Sequence, residues 1–195
     1  GWVSVLISLG IGTIVGLASG LAPRWLDRIL MSVTDVFLAF PRIFLILLLV
    51  SLMSPSLGLT VAVLGLTGWM SVARLVRAEA LGIRERDYVA AARGLGLSRL
   101  HVLPNLLPTI VVAASLRVGG AILTESFLGF LGLGAQEPLV SWGQMIQHGR
   151  GHLLDGWWLA TFPGLAISIT VIGYNLLGDG LRRRLDPRRS NGGAR

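Results

Sequence analysis

Apolar residues run through this chain in long blocks, with the polar ones gathered between them. Residues 1–23, 43–73 and 156–178 contain no Asp, Glu, Lys or Arg. A helix that crosses a bilayer needs about 20 mostly apolar residues, so each block is long enough to span. The pattern predicts five spans, at about 1–21, 35–54, 58–77, 106–128 and 157–178. Gly12, Gly16, Ser19 and Gly20 give the first span small residues that suit close helix packing in lipid. Residues 22–33 read as a short polar connection carrying Arg24, Asp27 and Arg28. Pro41 and Arg42 interrupt the second span near its start. Proline is tolerated there, and Arg42 is within snorkelling reach of the interface. An uncharged turn at 54–58 leads into the third span. Residues 129–156 read as a loop with a short amphipathic piece around 141–148, and Trp157 and Trp158 open the last span as an interfacial pair.

The polar passage between the third and fourth spans has a pattern of its own. From Arg84 to Pro108 it reads RERDYVAAARGLGLSRLHVLPNLLP. Tyr88, Ala91, Ala92 and Leu95 fall at i, i+3, i+4 and i+7, one face of a helix. Gly94 and Gly96 then loosen the backbone, and Pro104 and Pro108 mark a new segment. A helix lying on the membrane surface would present Trp and Phe to the lipid. Here Ala90, Ala91, Ala92, Gly94 and Gly96 offer a smooth surface that another protein can approach closely.

Composition agrees with a membrane protein. Of 195 residues, 53% are hydrophobic and 14% charged, with mean hydropathy +0.71; a soluble domain carries about 25% charged residues. The 17 basic residues are all arginine against 10 acids, a balance that in a soluble protein would suggest nucleic acid. Because these arginines flank apolar spans, they read as topology anchors instead, and no nucleic-acid partner is expected. Without lysine there is no GxxxxGK[ST] phosphate loop, so ATP would have to be bound by another chain. The absence of cysteine removes disulfides, thiolate nucleophiles and Cys-ligated metals.

Arginine placement also predicts orientation. Residues 74–101 hold six arginines and the stretch from 182 onward holds six more, whereas 129–156 holds only Arg150. The region 79–103 and the C-terminus are therefore expected in the cytoplasm, with 129–156 outside. Gly1 then lies outside, and an earlier span is expected to precede it. A secretory signal is disfavoured for residues 1–21, which have no basic leading region and too long an apolar part.

Two ionisable residues fall inside the fourth span, Arg117 and Glu125, where charge is costly. Eight positions apart, they lie about 80° apart around a helix and about 12 Å along it, so direct pairing is not expected. Each would meet a neighbouring helix, a partner subunit or a transport pathway. His148 and His152 stand at i, i+4, but two of the three residues between them are glycine, which disfavours a rigid zinc site. No resident metal or cofactor is expected. An intramembrane hydrolase is disfavoured as well, because His101, His148 and His152 all fall outside the spans.

The passage RDYVAAARGLG, followed by LPN and LLP, resembles the EAA loop of permease subunits in binding-protein-dependent ABC importers. TDVFLAFP (34–41), ILTESFLGFLGLG (122–134), SWGQMIQHGR (141–150) and GDGLRRRLDP (178–187) are similar to stretches of the dipeptide and oligopeptide branch, in the same order. The glutamate of the EAA triplet stands as Ala90 here, and the interval from Gly96 to Pro108 is one residue shorter than in that branch. The resemblance implies an all-α, polytopic transmembrane bundle, a single permease domain over 1–195, with a cytoplasmic coupling helix within 79–103. It implies that Tyr88, Ala90, Ala91, Ala92, Arg93, Gly94 and Gly96 dock on an ATPase. The implied partners are a second permease subunit, two cytoplasmic ATP-binding subunits and an external solute-binding protein, all at the cell membrane. The implied cargo is a short peptide, a nickel chelate or another small solute, and the chain itself makes or breaks no bond. The rival reading is a secondary transporter or channel with no ATPase partner; such folds often show internal repeats, and none is convincing here.

Overall fold

The computed structural model describes residues 1–86, 89, 106–136 and 138–185. Among these residues the structure is helical, without strands. Its α-helices are α1 (Trp2–Leu21), α2 (Arg24–Ala39), α3 (Arg42–Ser51), α4 (Leu57–Leu66), α5 (Trp69–Arg84), α6 (Leu107–Phe130), α7 (Trp142–Gly149) and α8 (Trp158–Leu185). Four spans are long and apolar enough to cross a membrane, with α4 and α5 together forming one of 28 residues. A fifth follows if α2 and α3, bent by 76° at their junction, count as one.

The bend has a local cause. Phe40 adopts φ −82°, ψ 131°, the extended conformation that a following proline imposes, so α2 cannot run on into Pro41. The chain then restarts as α3. Residues 24–33, expected as a polar connection, are instead the first turns of α2. Trp25, Ile29, Val33, Val36 and Phe37 recur at helical spacing and face outward, while Thr34 on the other side is fully buried. Three charges among ten residues hid a helix whose apolar face points away from the protein. At the next junction Ser56 caps α4 by accepting a hydrogen bond from the Leu59 amide at 3.1 Å.

α1 is the packing centre. Gly12 faces Trp69 and Val72, Gly16 faces Ala73 and Val76, and Gly20 faces Ala80. Numbers rise together along this seam, so α1 and α5 run parallel. Two parallel spans require the chain between them to cross back, and the bent α2–α3 pair supplies that crossing. α6 runs antiparallel to α1, with Ile122 against Gly1 at one end and Ile110 and Leu17 against the same buried group at the other. α8 is antiparallel to α6, since Gly119 meets Val171 and Asn175 while Gly178 meets Ser115 and Leu116.

These directions sort the charges. The ends of α1, α5 and α8 and the start of α2 share one end of the bundle, with Arg24, Arg28, Arg84 and Arg182 to Arg184. The other end holds the α3–α4 turn and α7, and its arginine is Arg150. The amphipathic piece expected around 141–148 is α7, opened by a capping box between Ser141 and Gln144. A 3-10 turn, Arg150–His152, follows it.

Candidate functional site

The residues expected to dock on an ATPase, Tyr88, Ala90, Ala91, Ala92, Arg93, Gly94 and Gly96, lie outside the described residues, as does His101. The helix that leads to them is described. α5 passes from the bundle centre to Arg84 without a break, with Val72, Ala73, Val76, Ala80 and Ile83 all buried.

Ion pairs join that helix to α2. Arg77 meets Asp27 through two hydrogen bonds, Nε to Oδ1 at 2.6 Å and Nη2 to Oδ2 at 2.7 Å. The Ser19 hydroxyl of α1 also donates to Asp27. Arg74 reaches Asp35 one turn further along, in a more exposed pair. A two-pronged guanidinium–carboxylate contact fixes orientation as well as distance. The sequence does not announce these pairs, because the partners stand about forty to fifty positions apart.

Within the span of α6, Arg117 and Glu125 turn to different partners. Arg117 crosses to the break between α4 and α5. It donates to the Gly68 carbonyl and, at 3.0 Å, to the Ser71 hydroxyl. A Cβ on Gly68 would stand 2.9 Å from the Leu64 carbonyl and from Ser8 Cβ, and 3.0 Å from the guanidinium. Only glycine admits the arginine this closely. Glu125 instead reaches the side chain of Ser141, the cap of α7. Each group thus meets a neighbouring helix within the chain.

By sequence Arg42 is within snorkelling reach of the interface. In the fold it stands at the start of α3, and with Arg117 it lines a cleft of about 190 Å³. Ser4, Ser8, Leu64 and Gly120 contribute to the wall. The two histidines do not share one helix: α7 stops at Gly149, between them, and His152 turns to Asp155 at 3.6 Å. No cluster of three metal-ligating side chains occurs among the described residues.

A bundle of this topology, with a parallel α1–α5 core and a polar passage after α5, can be compared with known proteins. Residues 12–191 match the family described as binding-protein-dependent transport system inner membrane component. The chain belongs to that family. It is 42% identical over 193 residues to the Escherichia coli (strain K12) protein named "Probable D,D-dipeptide transport system permease protein DdpC", covering 96% of this chain and 65% of the relative. It is 40% identical over 190 residues to a glutathione transport system permease protein of Pectobacterium atrosepticum, covering 95% and 63%. A dipeptide transport system permease protein of Bacillus subtilis is 40% identical over 194 residues, covering 96% and 61%. The chain thus spans less than two thirds of the length of these relatives. Its fold matches a chain of the MetNI methionine ABC transporter in an inward-facing conformation, with TM-score 0.70 and 19% identity, covering 94% of this chain and 91% of that one. The family member is an inner membrane component, and its relatives are transport permeases of the branch that the motifs resemble.

Proposed function

We propose that this chain is a permease subunit of an ATP-driven importer and forms part of the translocation pathway for short peptides or similar small solutes. The observation that carries the reading is the match of nearly the whole chain, at about 40% identity, to permeases named for dipeptides and glutathione. A second permease subunit pairs with it, two ATP-binding subunits dock from the cytoplasm, and an external binding protein delivers the solute. No bond is made or broken in this chain.

The described geometry supports a mechanical role for α5. ATP closes the ATPase pair, and the helix expected near 86–97 moves with it. α5 continues from that region directly into the bundle. It is packed backbone-to-backbone on α1 and tied to α2 by Arg77 and Asp27. A push delivered at Arg84 therefore moves α1, α2 and α5 as a body, and the pathway reopens to the other side. ATP supplies the bias between two arrangements of one bundle. The arginine-rich end, with the C-terminus, faces the cytoplasm, in keeping with the positive-inside rule.

Docking is tested at the coupling segment. Ala92 and Gly96 lack bulk, so a tryptophan at either holds the ATPase surface away, and overpacking costs roughly 1–3 kcal/mol. Ala92→Trp and Gly96→Trp should insert and accumulate normally. Solute uptake and solute-stimulated ATP hydrolysis should fall together. Full uptake and stimulation at normal abundance would remove the docking role. Topology is read in the same preparation: this cysteine-free chain with Leu154→Cys, at a fully exposed position, should react with an impermeant thiol reagent from outside. The chain with Ser98→Cys should not.

A further inference from the structure

The cleft between α1, α3, α4 and α6 is positively charged and lacks a counter-ion among the described residues. Arg117 lies ten positions into the 24-residue α6, about 15 Å from one end and about 20 Å from the other. Two of its five donors are used by Gly68 and Ser71. Arg42 has no ion pair or hydrogen bond among the described residues. Among the described residues no acid lines the cleft, and the ion-paired acids elsewhere, Asp27, Asp35 and Asp155, serve Arg77, Arg74 and His152. Two like charges thus share one cleft, and each repels the other.

Charged side chains at membrane depth normally pair or line a solvated path. Here the remaining wall is polar on one side, with the buried hydroxyls of Ser4 and Ser8 both turned back to α1 carbonyls. The Ser8 hydroxyl donates to Val5 O at 2.9 Å and Ser4 to Gly1 O at 2.7 Å. Their oxygens keep lone pairs that can accept, but no hydroxyl there carries a negative charge to balance the guanidiniums. A group that brings its own negative oxygens would satisfy both arginines, and a guanidinium binds a carboxylate best, through two parallel N–H···O bonds. The cleft, of about 190 Å³, has room for a carboxylate and the atoms next to it.

We propose that Arg42 and Arg117 form a carboxylate-binding subsite on the translocation pathway, taking the terminal carboxylate of the passing peptide. This rests on the reading of the chain as a peptide permease. The two arginines come from different helices: Arg42 starts α3 just after the Phe40–Pro41 bend, and Arg117 reaches from α6 to the α4–α5 break. The site would therefore be assembled or pulled apart as α3 moves against α6, which suits a group that must be held briefly and then released.

The test uses the assembled transporter in proteoliposomes, with Gly120→Cys as the reporter. Gly120 lines the cleft, and a Cβ there would meet nothing within 4 Å. A sulfonate-bearing methanethiosulfonate should modify the reporter faster than its trimethylammonium counterpart, because a cleft of one sign concentrates counter-ions about tenfold or more. Arg42→Gln and Arg117→Gln should each remove most of that lead, and Arg42→Lys should keep it. Alanyl-alanine should protect the reporter, whereas alanyl-alanine amide should not, and protection should vanish in both glutamine variants. Equal protection by the two peptides, or none by either while alanyl-alanine is still transported, overturns the assignment. So does loss of the anionic lead when the second permease subunit assembles without peptide, since a partner's acid would then fill the cleft. No uptake of either peptide by the otherwise unaltered transporter is the separate failure of the peptide reading. The two reagents still report whether the cleft prefers anions.

Discussion

The α4–α5 span and α8 are both 28 residues long and similarly apolar, yet they sit in the bundle in opposite ways. Of the most apolar stretch of the first, 56% is buried; of the second, 11%. Apolarity therefore decides that each crosses the membrane but not what each touches. In lipid the tails are as apolar as leucine, so helices meet where small residues and polar pairs allow it. α5 has both kinds of partner: the glycine row Gly12, Gly16 and Gly20 of α1, and the Asp27 carboxylate of α2. α8 turns Phe162, Leu165, Ile169, Ile172 and Leu176 outward and buries only Pro163, Ile167 and Gly178.

The strongest test of this contrast is a branched side chain in the α1–α5 seam. At Gly16 a Cβ would stand 2.6 Å from the Ala73 carbonyl and 2.8 Å from Val76 Cβ. Neither neighbour can rotate away, because one is backbone and the other is a side-chain root. Gly16→Leu should therefore separate the two helices and cost at least about 3 kcal/mol. The expected result is a sharp fall in folded protein and in the melting midpoint in detergent. A variant that melts like the parent would mean that burial, rather than close approach, holds α5.

That seam was legible in the sequence, since Gly12, Gly16, Ser19 and Gly20 fall on one helical face of the first span and all four are buried. So were the long apolar helices and the α7 piece. α2 was not, because Arg24, Asp27 and Arg28 outweighed the apolar spacing of Trp25, Ile29 and Val33. The meeting of Arg42 with Arg117 was hidden for a different reason. Pro41 announces a bend, but its 76° and its direction depend on what α3 packs against, Val63, Leu64 and Leu128 far along the chain. Nothing local says that Arg42 will face Arg117. The Asp27–Arg77 pair was hidden likewise, since a pairing across fifty positions exists only once α1 and α5 are known to be parallel.

A smaller effect is expected at that pair. The side chains are 32% and 19% exposed, so the interaction lies between a weak surface pair and a fully buried one. Arg77→Leu leaves Asp27 with Ser19 alone and should cost about 1–3 kcal/mol. Arg77→Leu combined with Asp27→Leu should cost less than Arg77→Leu by itself, because no charge is then stranded. Thermal melts of the single and double variants give the coupling directly. Additive losses would show that α2 is held on α5 by packing, as with the Phe37–Trp69 edge contact, and not by charge.

The smallest effect on the fold belongs to α8, and it carries the other half of the contrast. Gly173 is exposed, and a Cβ there would meet nothing within 4 Å. Leucine at this point has room, and its higher helix propensity favours the helix by several tenths of a kcal/mol. Gly173→Leu should leave the melting midpoint of the isolated chain unchanged or slightly raised. Assembly should respond differently if a helix of the second permease subunit packs on this face. A glycine on an outward helical face lets a partner backbone come close, and leucine pushes it back. Co-purification of the two subunits should then fall while the isolated chain stays folded. Unchanged co-purification would assign the Gly173 face to lipid. The pairing surface would then have to lie elsewhere, and α3, with Phe44, Leu48 and Leu52 exposed in a row, is the next surface to test.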